Sequence, residues 1–233
     1  MRHIPIALLF VCSLWFGFSA HEQPFRRAHV EPLQDEGENI AFRWGFGAFL
    51  NSGKFVSITK DTTLQSGEEM KMVVELVKDC FVYVIYQTSK GEINQLFPYD
   101  MSQFLSNDYV RGKNYYIPKG RGWNKLDKNT GRETFYLLAT SQRLPELELL
   151  LSKYNSADAA SKPTIASDIV KEIRDVKRKF RTFATLAERP ATIGGNVRGV
   201  TKQEEVKRPD VATIATHISA SNFYSKTFTI DHK

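Results

Sequence analysis

The chain has 233 residues, a formal net charge of +6 and 42% hydrophobic residues, among them 16 Phe and 9 Tyr. That is enough apolar mass for a domain of ordinary size, and it excludes disorder as the general state. With 2 Cys in the whole chain, the disulfide framework of a small secreted scaffold is excluded too.

The N-terminus has the parts of a secretory signal. Met1-Arg2-His3 is a short basic start. Ile4 to Phe18 is an apolar run shorter than the roughly 20 residues of a membrane span. Small Gly17 and Ser19 favour cleavage after Ser19, with Ala20 as second choice and an uncleaved anchor as the alternative. Lipid attachment at Cys12 is disfavoured because Val11 stands where a small residue is wanted. The expectation is a signal peptide over 1–19, a flexible leader over 20–39, and a periplasmic or secreted protein. Cys80 is then the one remaining thiol. It reads as a small buried hydrophobe in a central strand, with an intermolecular disulfide or a reactive thiol as alternatives.

Ile40 to Leu50 (IAFRWGFGAFL) turns abruptly apolar and reads as a first strand. Gly45 and Gly47 flank Phe46 and permit a bulge or a close backbone approach. Asn51-Ser52-Gly53 is a turn, Phe55 to Thr59 a short strand, and Gln65-Ser66-Gly67-Glu68 a second turn. Met70 to Pro98 is the densest apolar stretch beyond the signal. Met70, Met72, Val74 and Leu76 share one face while Lys71 and Glu75 take the other, as in a strand with one wet face. Cys80 to Tyr86 (CFVYVIY) is apolar on both faces, which predicts a strand covered on both sides. Ser89-Lys90-Gly91-Glu92 supplies a turn into a strand over Ile93 to Phe97, so the stretch proposes two consecutive hairpins.

Tyr99 to Asn114 is loop-like, and Glu133 to Thr140 (ETFYLLAT) is another strong strand. The period then changes. Leu144-Pro145-Glu146 opens a helix carrying Leu147, Leu150, Leu151 and Tyr154 on one face. A second helix is predicted from near Thr164 to near Ala187, with a stripe of Ile165, Ile169, Ile173, Val176, Phe180 and Phe183. Residues 191–217 read as a loop. A last strand over Ile218 to Ile230 alternates Tyr224, Lys226, Phe228 and Ile230 against Ser225, Thr227 and Thr229.

Three pieces in this order resemble the DUF4384 family, a bacterial domain of unknown function. They are Cys80 to Tyr86 followed by Gly91-Glu92 and Leu96-Phe97-Pro98, then Tyr116-Ile117-Pro118, then Gly131 to Ala139. The resemblance runs over roughly residues 55–147. It implies a β-sandwich module of exported or envelope proteins, sometimes joined to kinase, caspase-like or repeat domains, and it carries over no catalytic residue. The expected fold is mainly β: an antiparallel β-sandwich over 40–147 with one or two helices over 148–190 packed on an edge or face, and residues 218–233 returning as a strand to the sheet.

Chemistry is sparse. His21, His29, His217 and His232 lie in terminal or loop-like segments and read as solvated, whereas a catalytic triad needs a rigidly held imidazole. No HExxH, CxxC or calcium loop is present. The paired acids Glu68-Glu69 sit in a turn, and the glycine cluster from Gly194 to Gly199 has no strand before it. The sequence names no catalytic residue, no metal ligand and no cofactor.

The candidate binding residues are Arg111, Lys113, Lys119, Arg121, Lys125, Lys128 and Arg132 around Trp123, against the single acid Asp127. Cations contact acids while aromatics stack, a pattern suited to an acidic polymer; the bland alternative is a run of solvated loop charges. Export argues against nucleic acid. The expected partner is an envelope protein, an acidic polymer or an anionic membrane surface. The function expected is an exported, non-enzymatic binding or assembly module of the cell envelope, with an envelope hydrolase acting on acidic glycans as the rival.

Overall fold

The computed structural model describes residues 40–180, 208–233 and the backbone of 187–188. The segments read as signal peptide and leader lie outside the described residues, as does the glycine cluster.

Two sheets face each other. The first is built on β1 (Ile40–Phe49), with β4 (Glu69–Leu76) antiparallel along one side. On the other side β11 (Thr216–Ala220) pairs with the first half of β1 and β2 (Phe55–Ser57) with the second. β7 (Asn114–Ile117) and β8 (Asn124–Lys125) follow one another along β4, and β10 (Ala187–Glu188) pairs with β11. The second sheet runs β3 (Thr62–Leu64), β12 (Phe223–His232), β9 (Gly131–Thr140), β5 (Phe81–Gln87), β6 (Ile93–Phe97). All of its pairs are antiparallel except β3 with β12.

The fold is therefore mainly β, a sandwich with helices packed on it. Its core is filled by the inward residues of both sheets, including Phe42, Phe46, Met72 and Val74 from one and Val82, Val84, Phe135 and Phe228 from the other. Phe46 sits edge-on to Phe135 and Phe228 at 5.2 and 5.6 Å between ring centroids. The glycines beside Phe46 serve close approach. A Cβ on Gly45 would lie 2.7 Å from the Val211 carbonyl oxygen, and one on Gly47 would lie 2.5 Å from the Phe55 ring. The β1–β4 register runs unbroken past both, so there is no bulge between these strands.

Cys80 to Tyr86 is covered on both sides, as its composition predicts. Cys80, Val82 and Val84 belong to the sandwich core, and Tyr83 and Ile85 to a second cluster beneath the helices. That cluster is closed by Leu147 and Leu151 of α1 (Pro145–Ser156) and Ile169 and Ile173 of α2 (Lys162–Phe180). The helices lie between β9 and β12 in sequence, yet these two strands pair along their whole length. The helical region is thus an excursion from one sheet, lying on its outer face.

Four expectations are corrected. β4 and β5 do not form a hairpin but lie in different sheets. The Val77 and Lys78 amides both donate to the Ala41 carbonyl, at 2.9 and 2.8 Å, and the chain crosses from one layer to the other. The inner faces of β4 and β5 meet across the core, an arrangement that alternation alone does not distinguish from side-by-side pairing. Second, the outer face of β4 is not wet. Val73 packs on Val211 and Ala215, and Lys71 is buried with its ammonium donating to the Gly120 and Gly122 carbonyls at 2.7 and 2.5 Å. Burial lowers its pKa against the opposing pull of Asp210. Third, the C-terminal segment is two strands in different sheets, divided at Ser221-Asn222, and β11 begins inside the region read as loop. Fourth, Ala187 and Glu188 are extended, while residues 181–186 lie outside the described residues.

Candidate functional site

The basic residues singled out in the sequence do not converge. The Gly112 amide donates to the Leu76 carbonyl at one end of β4, and Lys125 pairs with Glu69 at the other. Seven residues of strand separate those points, or roughly 23 Å at about 3.3 Å per residue. Arg111 lies 3.4 Å from Asp79, Lys113 pairs with Asp108, and Lys119 stands over the Tyr99 ring. Arg121 and Lys128 are exposed. Trp123 is half-buried, edge-on to Phe49 and Phe55. Arg132 is in the second sheet, opposite Asp231. Lys113, Lys119, Arg121 and Lys125 thus lie in or beside β7 and β8, at an edge of the first sheet.

The structure gathers different residues. The larger cleft, about 770 Å³, lies between the β5–β6 hairpin and the helices. Lys90 from the hairpin turn and Lys162 and Arg174 from α2 line it, against one acid among the described residues, Glu92. Gln87, Asn94, Asn155 and Ser167 add neutral polar groups. Its wall is rigid: the Ile93 amide donates to the Tyr154 hydroxyl at 3.0 Å, and Lys162 stands over the Tyr154 ring. Gly91, at φ +85°, makes the turn that presents Lys90 and Glu92.

A second cleft, about 410 Å³, opens at the end of the sandwich between the hairpin and β8. Glu133, His232 and Tyr86 line it, with Lys125, Asp127 and Glu92 among its other residues. The Tyr86 hydroxyl donates to Glu133, and Tyr86 stacks on Phe135 at 4.7 Å. Burial first, and the bond to Glu133 second, push the Tyr86 hydroxyl pKa well up. Ser66 Oγ lies 3.0 Å from His232 Nε2, while His232 Nδ1 is 4.0 Å from Glu133 and has no hydrogen-bond partner. His232 is 3% exposed, which corrects its reading as a solvated histidine. It sits on the inward face of β12, in step with Phe228 and Ile230, and the alternation of the strand extended to 232 would have found it.

The amides beside the serine–histidine–glutamate contacts are already engaged. The amides of Ser66, Gly67 and Glu68 donate to the Lys233, Leu126 and Gln65 carbonyls, at 2.8, 2.9 and 3.1 Å. None is left to stabilise an oxyanion. Cys80 is equally quiet: burial pushes its thiol up to about 12, so it stays protonated at neutral pH.

Residues 63–143 match the model of DUF4384, a domain of unknown function. The matched DUF4384 segment runs from β3 through β9 and contributes every residue of the sandwich-end cleft except His232. The helix-side cleft is shared between the DUF4384 hairpin and the helices beyond it. No curated protein and no solved structure matches the chain.

Proposed function

We propose that this protein is a non-catalytic binding module of the bacterial cell envelope, exported by its N-terminal signal, that holds an acidic polymer in the helix-side cleft. The lining of that cleft carries the reading: among the described residues, Lys90, Lys162 and Arg174 stand against the acid Glu92, over about 770 Å³. A concave wall of net positive charge concentrates anions, and the neutral polar groups beside it supply hydrogen bonds. The spent amides around Ser66 weigh for binding and against covalent chemistry.

Titration with an oligouronate as probe tests this. Saturable binding is expected, weakened by salt and at least about tenfold weaker in Lys162→Glu/Arg174→Glu, since each lost charge-assisted contact is worth about 1.5 kcal/mol or more. Arg111→Glu at the sheet edge is expected to leave it unchanged. Undiminished binding by the double variant would remove this cleft from the reading.

One observation favours a second reading, a hydrolase acting on acidic glycans: Glu92, Asp127 and Glu133 line the same sandwich-end cleft. Hydrolysis needs two carboxyl groups across the bond. Two of these are already engaged, Glu133 by Tyr86 and Asp127 by the Asn129 amide and side chain. Reducing ends released from the oligouronate by the protein, and lost in Glu133→Gln, would establish this reading over the first.

A further inference from the structure

The side of β1 away from β4 has its own opening. β11 pairs with β1 as far as Trp44, and β2 takes over from Gly47. Between them lies a pocket of about 100 Å³ that reaches in from the surface to the facing strand β12. Its walls are Trp44, Phe46, Ile58, Ile218 and Phe228, with Ile214 above. Among the described residues no carboxylate lines it, and Lys226 is its one charged residue. Lys226 occupies an inward position of β12 between Tyr224 and Phe228, a place where the alternation calls for an apolar side chain. Its ammonium stands 5.5 Å from the Phe228 ring centroid and forms no ion pair among the described residues. Trp44 is 6% exposed, and its indole Nε1–H is buried without a hydrogen-bond partner.

Among the described residues the pocket is thus largely apolar, with one cation that forms no ion pair there. We propose that this pocket binds an aliphatic carboxylate. The hydrocarbon chain lies between the sheets among Phe46, Ile58, Ile218 and Phe228. The carboxylate accepts a hydrogen bond from the Lys226 ammonium. The size is set by the walls: a cavity of about 150 Å³ holds benzene, so this one takes a chain of roughly four or five carbons beyond the head group.

The test uses the mature full chain and hexanoate, with hexanol as the uncharged control of similar length. The observable is the Trp44 indole N–H resonance, with that of Trp123 reporting that the fold is intact. Hexanoate is expected to shift the Trp44 resonance saturably, and hexanol to bind about tenfold more weakly, the loss of one charge-assisted contact. Lys226→Met keeps the stem and removes the charge; it is expected to weaken hexanoate about tenfold and leave hexanol unchanged. Equal affinity for the two probes, hexanoate binding untouched in Lys226→Met, or no saturable shift in the folded protein would each overturn the proposal.

Discussion

Strand β5 sends two tyrosines to opposite faces of the second sheet, and each donates its hydroxyl proton to a buried glutamate. Under the helices, Tyr83 donates to Glu148 at 2.6 Å and accepts the Leu144 amide at 3.1 Å. Arg143 closes the group, with Nε on both Glu148 oxygens at 3.0 and 3.1 Å and a further bond from Nη2. At the sandwich end, Tyr86 donates to Glu133, but the group behind that carboxylate is an imidazole 4.0 Å away with one unpaired nitrogen. The first group is fully paired and ties the start of α1 to the sheet. The second is half paired and lines a cleft. Two pairs of the same residue types, three positions apart on one strand, thus do different work because a helix start supplies an arginine to one of them. A satisfied buried network fixes a structure, whereas a partly satisfied one stabilises it less.

The largest effect expected is from Tyr83→Phe, which strips Glu148 of a donor and leaves the buried Leu144 amide without its acceptor. A loss of about 3 kcal/mol follows from two broken buried bonds and is readable by urea unfolding. A loss below about 1 kcal/mol would break the contrast between the two groups, since one ordinary bond is worth that much. Arg143→Met is expected to cost about 2 kcal/mol, less than for a fully buried pair because the arginine is partly exposed. The same pair gives a pH dependence. Burial by itself would raise the Glu148 pKa, but Arg143 and Tyr83 bring it below the ordinary carboxylate value. The folded state therefore binds the proton less tightly than the unfolded chain. The stabilisation is complete above the unfolded-state pKa and is lost as pH falls through the lowered folded-state value. Unfolding measured from neutral to acid pH should show this loss in the parent protein and a flatter profile in Glu148→Gln.

Much of this was legible in the sequence, and the illegible parts share a cause. β1, β9, the two-faced β5 and the stripe of α2 were readable because each pattern is local. Val77 to Cys80 carried no sign that the chain changes layers, because two apolar faces meet equally well across a core or beside one another. Lys71 looked solvent-facing because the loop that buries it lies some fifty positions away, at Gly120 and Gly122. The cations of the helix-side cleft are an isolated Lys90 and two helix residues in separate turns, while the seven that cluster in sequence spread along one sheet edge and, at Arg132, into the second sheet. Proximity in sequence marked a charged strip; a concave site came from elements that meet only in three dimensions.

The smallest effects sharpen the comparison from the open side. Tyr86→Phe removes one bond to a carboxylate that remains beside a cleft, and about 1 kcal/mol is expected, below either change at the helix group. His232→Leu should cost less still. The imidazole contributes one contact, to Ser66, and carries a buried nitrogen with no partner. Leucine loses the contact, ends the desolvation penalty on that nitrogen, and adds apolar surface against the same core. These terms are of similar size and opposite sign, so a change within about 0.5 kcal/mol of zero follows. Unfolding of the single variants and of Tyr86→Phe/His232→Leu measures whether the residues act together. Additive effects would show that Tyr86 holds Glu133 without help from the imidazole. A double variant costing more than the sum would show that the imidazole supports the carboxylate in spite of the 4.0 Å gap, and the sandwich end would then be a closed network like the one under the helices.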